Sequence, residues 1–155
     1  MQGRRGVPLD CNSDIQTWLH ARSGLPLQRD FYGIARRNSD GDIIAAFGFD
    51  SFQPHGCQLH LSTEPHGMTR GLLEAVFQTA FVQWNYRYLA AIIQIENAKS
   101  LRIARRLGFT EVGKIPGELF FGVLYSDQCR WVYPKRFRAC PVALRSLPHP
   151  TCLET

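Results

Sequence analysis

The chain has 155 residues, of which 45% are apolar and 20% charged, an ordinary globular composition with enough length for one domain and a real core. No apolar run is long enough to span a bilayer, and no apolar segment backs the two arginines of MQGRRGVPLD, so neither a membrane span nor a secretory signal is expected and the cytoplasm is the expected location. A formal charge of +5 fits a solvated basic surface or an anionic ligand, such as a polyphosphate cofactor or nucleic acid, and by itself leaves both open.

In chain order, residues 1–12 read as a loose arm. Ser13 to Arg22 reads as a short helix with Ser13 and Gln16 as a capping box, Ile15, Trp18 and Leu19 as its apolar face, and Gly24 at its end. Phe31 to Arg37 reads as a strand, Asn38 to Asp42 as a turn with an Asp-Gly hairpin signal, and Ile43 to Phe52 as the return strand. Pro54-His55-Gly56 turns the chain into a third strand, Cys57 to Thr63, completing an antiparallel meander.

Thr69 to Trp84 then carries Leu72, Leu73, Val76, Phe77, Ala80, Phe81 and Trp84 on one helical stripe. Tyr88 to Ile95 is nearly all apolar, as in a central strand covered on both faces. Strand 57–63, helix 69–84 and strand 88–95 therefore form a right-handed crossover between parallel strands. A basic helix follows from Ala98 to Leu107, with Leu101, Ala104 and Leu107 toward the core. Thr110 to Ile115 reads as a strand, 116–128 has no clear reading, and Cys129 to Tyr133 reads as the last strand. From Lys135 the chain reads as an irregular tail, leaving one domain over 1–134.

Five scattered cysteines, an odd number with no Cys-x-x-Cys, argue against a disulfide framework. His55, Cys57, His60 and His66 lie close in sequence, but Cys57 and His60 fall on opposite strand faces, so no metal site is expected.

Two strand-to-helix junctions can carry chemistry. The first, Glu64-Pro65-His66-Gly67-Met68-Thr69-Arg70-Gly71, ends at a helix N-terminus whose unpaired N–H groups and dipole can cradle phosphate, with Arg70 adding charge. It reads equally as an ordinary turn capped by Thr69. The second, Glu96-Asn97-Ala98-Lys99-Ser100, lies at the same carboxyl edge of the sheet, where open α/β sheets bind ligands. There Asn97 reads also as a plain helix cap.

The run Asn97-Ala98-Lys99-Ser100-Leu101-Arg102-Ile103-Ala104-Arg105-Arg106-Leu107-Gly108-Phe109, followed by Glu111-Val112-Gly113, resembles the Asn-x-x-Ser…Leu-Gly-Phe…Glu-x-Gly signature of the GCN5-related N-acetyltransferase (GNAT) superfamily. The resemblance covers residues 31 to 133 and points to the subgroup that acetylates protein N-termini, including ribosomal-protein N-terminal acetyltransferases. The phrase at 69–77 also resembles short GNAT-like proteins of phages and prophages. The resemblance implies an α/β (α+β) fold, a mixed and mostly antiparallel sheet with a central parallel strand–helix–strand pair and flanking helices. The activity it implies is transfer of acetyl from acetyl-CoA to an amine on a protein N-terminus, a lysine or a small molecule.

The family's pyrophosphate loop, Gln/Arg-x-x-Gly-x-Gly/Ala, maps onto His66-Gly67-Met68-Thr69-Arg70-Gly71, where the last glycine matches, His66 replaces Gln/Arg and Thr69 replaces glycine. By the same resemblance, Ser62 and Asn97 join these six residues as the expected cofactor-binding set. The tyrosine that many members use as general acid is Ala104 here, so the resemblance passes that role to Ser100, with Tyr125 and Tyr133 as outside candidates. Glu64 is the expected base, with Glu96 and His60 behind it. A backbone N–H of the third strand polarises the thioester, and Asn97 positions the pantetheine arm. A catalytically weak relative that holds CoA or a protein partner, for instance a host-directed phage protein, is the competing expectation. A nucleic-acid module based on Arg102, Arg105, Arg106, Lys135, Arg136 and Arg138 ranks below both. The apolar surplus over 119–133 suggests either a homodimer face or core.

Overall fold

A computed structural model describes residues 9–10, 13–115 and 119–131. Seven strands form one sheet in the order β1-β2-β3-β4-β5-β7-β6. They are β1 (Leu9–Asp10), β2 (Tyr32–Arg37), β3 (Ile43–Gln53), β4 (Gly56–Thr63), β5 (Tyr88–Gln94), β6 (Thr110–Ile115) and β7 (Leu119–Tyr125). The helices are α1 (Ser13–Ser23), α2 (Arg70–Gln78) and α3 (Ala98–Leu107). All neighbouring strands are antiparallel except β4 and β5. The meander, the crossover and the three expected helices are all present.

Glycines set how closely the layers approach. A Cβ on Gly33 or Gly48 would strike Ile15, Leu19 and Phe31, so these two positions let α1 press onto β2 and β3. That contact makes a small core of Ile15, Leu19, Leu25, Phe31, Ala35 and Ala46 on one face of the sheet. The opposite face carries the main core, where α2 and α3 pack through Leu72, Val76, Phe77, Ala104 and Leu107 against Phe47, Phe49, Leu89 and Leu124.

Four differences from the sequence reading have physical causes. Leu9–Asp10, expected in a loose arm, pair with Ile34 and Gly33. The helix from 69 to 84 changes pitch after Gln78 and runs as one π-turn, Thr79–Gln83. Its apolar residues recur every four positions (72, 76, 80, 84), which drifts around a helix of 3.6 residues per turn. The wider turn, with Trp84 N–H donating to Thr79 O at 3.0 Å, brings Ala80 and Trp84 back to the core. Gln16, expected in a capping box, instead brackets the backbone of Gln28, accepting from its N–H at 2.6 Å and donating to its carbonyl at 3.1 Å.

The expected last strand is the fourth difference. Residues 126–128 form a 3-10 turn, and no strand covers 129–131. The strand is β7 at Leu119–Tyr125, inserted between β5 and β6. Its central place explains the apolar surplus, since Phe120, Val123 and Leu124 are buried. Residues 1–8 and the tail from 132, including Tyr133, lie outside the described residues.

Candidate active site

The site begins where two parallel strands come apart. β4 and β5 are in register only at Gly56–Tyr88, Cys57–Leu89 and Gln58–Ala90. Beyond those pairs β4 stays bonded to β3 and β5 to β7, so the remaining halves, 59–63 and 91–94, diverge. The closed end is held tight by Gly56, where any Cβ would meet the Tyr88 carbonyl and ring. The open end is the carboxyl end, from which both junctions lead off. Burial follows the same geometry: Leu89 and Ala91 are buried, but Ile92 is 39% and Ile95 41% exposed. The apolar run expected to be covered on both faces is uncovered where it borders the gap.

A cavity of about 330 Å³ fills this gap. Leu59, His60 and Leu61 line it from β4, and Ala91 to Gln94 line it from β5. Asn97, Ser100, Ala104 and Leu107 of the α3 segment form one wall, and Ser23 to Pro26, at the end of α1 and just after it, form another. The cavity thus passes through the sheet, from the α3 face to the α1 face. Ala104 lies in its wall.

The second junction delivers side chains to this cavity. Asn97 caps α3, its Oδ1 accepting from the Ser100 N–H at 3.1 Å. Gly108 ends the helix in the left-handed region at φ 103°, and Phe109 returns to the core and the cavity wall.

The first junction is shaped by backbone. Thr69 caps α2, accepting from Leu72 N–H at 3.2 Å. Gly67 is buried, and a Cβ there would collide with the Ile44 carbonyl and Thr63 Oγ1. Arg36 reaches across to the carbonyls of His66 and Gly67 at 3.0 and 3.1 Å, fixing the loop, with His66 at φ 63°. Gly71 is different, since open space surrounds the place its Cβ would occupy. In the first turn of α2, Leu72 and Leu73 face the core while Arg70 and Gly71 are exposed, so the outer side of the turn is open to an anion. Arg70 has Glu74 at 3.0 Å.

The expected catalytic residues separate. Asn97 and Ser100 share the cavity wall. Glu64 does not line the cavity; its carboxylate meets Arg22 of α1 at 2.5 Å, and Arg22 also donates to Ser62 Oγ at 3.1 Å. Glu96 is exposed in the turn after β5. Tyr125 pairs with Tyr88 at the closed end, away from the cavity. His60 lines the cavity, and its Nε2 lies 2.9 Å from Oδ1 of Asp50, which is 2% exposed. Asp50 carries no sequence signal. It meets His60 because the β3–β4 register sets Gly48 opposite His60, and a bulge follows directly after Asp50.

Two groups at the closed end hold their protons tightly. Burial, reinforced by Asp50, pushes the Cys57 thiol well above its usual range. Burial, with Cys57 and Tyr88 adding to it, pushes Tyr86 up to about 12.

Residues 8–110 match the family described as Acetyltransferase (GNAT) domain. The chain belongs to the GNAT family. Members use acetyl-CoA as co-substrate, and the diverging strands, the cavity and the open turn at Gly71 are compatible with that ligand. Among solved structures, a point mutant of the spermidine N-acetyltransferase of Vibrio cholerae matches with a TM-score of 0.62 at 11% identity, over 83% of this chain and 98% of that one. The spermidine/spermine N-acetyltransferase of Vibrio cholerae in complex with manganese ions matches at 0.61 and 11%, over 80% and 95%. A dodecameric form of the enzyme matches at 0.59 and 11%, over 78% and 94%. At such identities the likeness is one of fold. A comparison with curated proteins gives no significant match. Among the described residues, no helix is long and apolar enough to cross a membrane.

Proposed function

We propose that this protein transfers acetyl from acetyl-CoA to an amine by direct attack on the thioester. The observation that carries the reading is the three-residue pairing of β4 with β5 and the roughly 330 Å³ cavity where they part, walled by Asn97 and Ser100. A narrow gap through a sheet can present an acyl group from one face to a nucleophile on the other. Holding the two together replaces a bimolecular encounter with an oriented one.

In this reading the first turn of α2 and the loop 66–71 hold the cofactor's phosphates through backbone N–H groups and Arg70. Side-chain identity at His66 and Thr69 then matters less than their main chain. Asn97 orients the pantetheine arm. Freed N–H groups in the unpaired half of β4, near Ser62, polarise the thioester carbonyl. Ser100 relays a proton to the departing sulfur, replacing the tyrosine that Ala104 displaces. Glu64 already has its carboxylate engaged by Arg22. It is therefore poorly placed to take the proton of an incoming ammonium group.

The acceptor is an amine on an apolar body. Leu25, Pro26 and Ile92 border the cavity beside Ser23, His60 and Gln94. Among the described residues no carboxylate lines it to hold the further ammonium groups of a polyamine such as the spermidine of the structural neighbours, so a protein N-terminus fits it better. Thiol release from acetyl-CoA, followed with a peptide bearing a free N-terminus, with spermidine and with benzylamine, tests this. Transfer faster to the peptide or benzylamine than to spermidine is expected, and Ser100→Ala should slow it about tenfold or more. A clear preference for spermidine would overturn the acceptor assignment, and an unchanged Ser100→Ala rate would remove the relay.

A further inference from the structure

We propose that the base for this reaction is His60, held in place by the buried carboxylate of Asp50. The inference rests on the acetyltransferase reading and assigns the step for which Glu64 is poorly placed. Ionised Asp50 can only accept hydrogen bonds, so the His60 nitrogen 2.9 Å away carries the proton and donates it. That nitrogen is Nε2, which leaves Nδ1 as the basic nitrogen of a neutral ring. The side chain is 18% exposed and lines the cavity, so the ring is sheltered yet reachable.

The register fixes its side of the sheet. His60 is opposite Gly48, whose missing Cβ points at Leu19 and Phe31, so His60 projects to the α1 face. Asn97 and Ser100 belong to the α3 segment, which packs on the other face. A base on one face and a leaving-group relay on the other suit an amine and a thioester that meet in the gap between them. Other ionisable groups on the elements around the pair are otherwise occupied. Cys57 on β4 stays protonated, Arg22 of α1 and Glu64 bind each other, and His20 of α1 meets the Leu25 carbonyl.

The step balances. The acceptor ammonium gives one proton to His60 Nδ1, and Asp50 stabilises the imidazolium that forms. The freed lone pair attacks the thioester carbon, making the C–N bond as the C–S bond breaks. The second nitrogen proton passes through Ser100 to sulfur, and His60 returns its proton to solvent. His60 is a catalytic residue in this scheme and Asp50 a positioning residue.

The test compares two amines of similar shape on the full chain. Benzylamine is an ammonium at neutral pH and needs a base; aniline is already the free amine. His60→Gln keeps a donor for Asp50 and so preserves the buried contact. Its kcat/KM should fall about a hundredfold or more with benzylamine, but less than about tenfold with aniline, at unchanged acetyl-CoA affinity. Asp50→Asn should lower the benzylamine rate and move the acid limb of its pH profile to lower pH, because the imidazolium loses its counter-charge. Equal losses on both amines, or no loss on either, would overturn the assignment while leaving acetyl transfer intact. An unmoved acid limb in Asp50→Asn would reduce the pair to a structural tie between β3 and β4. Failure of the wild-type chain to bind acetyl-CoA would instead strike the reading beneath it.

Discussion

The two strand-to-helix junctions look alike in sequence and work differently in the fold. Both follow parallel strands at the same sheet edge, and both open a helix with a side-chain cap, Thr69 in one and Asn97 in the other. After β4 the chain is clamped by its own protein: Gly67 is packed on Ile44, and Arg36 holds two loop carbonyls. After β5 it is exposed, and it hands Asn97 and Ser100 to the cavity. One junction contributes backbone shape, the other side-chain chemistry. Substitutions should therefore cost folding at the first and function at the second, with Gly71 as an informative exception.

The largest effect is expected at Gly67. Gly67→Ala drives a methyl into backbone that has no room to yield, and should cost about 2–4 kcal/mol in denaturant unfolding. A loss within experimental error would show that the loop is not clamped. Gly71→Ala should do the opposite to stability, leaving it unchanged or raising it by up to about 1 kcal/mol, since nothing surrounds that position. Acetyl-CoA affinity should nonetheless fall about tenfold, or roughly 1.4 kcal/mol, if phosphate approaches that backbone. Unaltered affinity would move the phosphate site elsewhere.

At the second junction, Asn97→Ala should remove about 1 kcal/mol of stability through the lost cap and also raise the KM for acetyl-CoA. A loss of stability with kinetics untouched would leave Asn97 a cap only. The smallest effect belongs to the closed end of the gap. Tyr86 titrates near 12 in the folded chain against 10 for an ordinary tyrosine. The folded state keeps a proton that the unfolded state gives up. Stability is thus whole below about pH 10 and is lost as pH rises toward 12. Cys57 acts in the same direction. Tyr86→Phe should flatten that part of the alkaline decline, and an equally steep decline in the variant would discount Tyr86.

Much of this is legible in the amino-acid order. The meander shows itself through Asp40-Gly41 and Pro54-His55-Gly56, and α3 through Asn97 at its start and Gly108 at its end. These are local signals, and local physics sets them. β7 escapes because Phe120, Phe121, Val123 and Leu124 form a nearly unbroken apolar run without the alternation that marks a half-buried strand. The Asp50–His60 pair escapes because ten residues and a hairpin register separate its members, and a bulge follows the carboxylate. Glu64 suggests a base by its place at a strand end, but the docking of α1 brings Arg22 onto it, a contact 42 residues apart. Ala104 is expected from the sequence to stand where an acid is missing, and the structure puts it in the cavity wall.

The central claim is that the gap between β4 and β5 holds acetyl-CoA. Titration calorimetry of the wild-type chain with acetyl-CoA, backed by thermal unfolding, tests it most directly. Saturable binding is predicted, with about 2.7 kcal/mol of added stability at a hundredfold excess over Kd, and with the affinity reduced in Gly71→Ala. No binding heat and no shift in Tm at millimolar acetyl-CoA would contradict it.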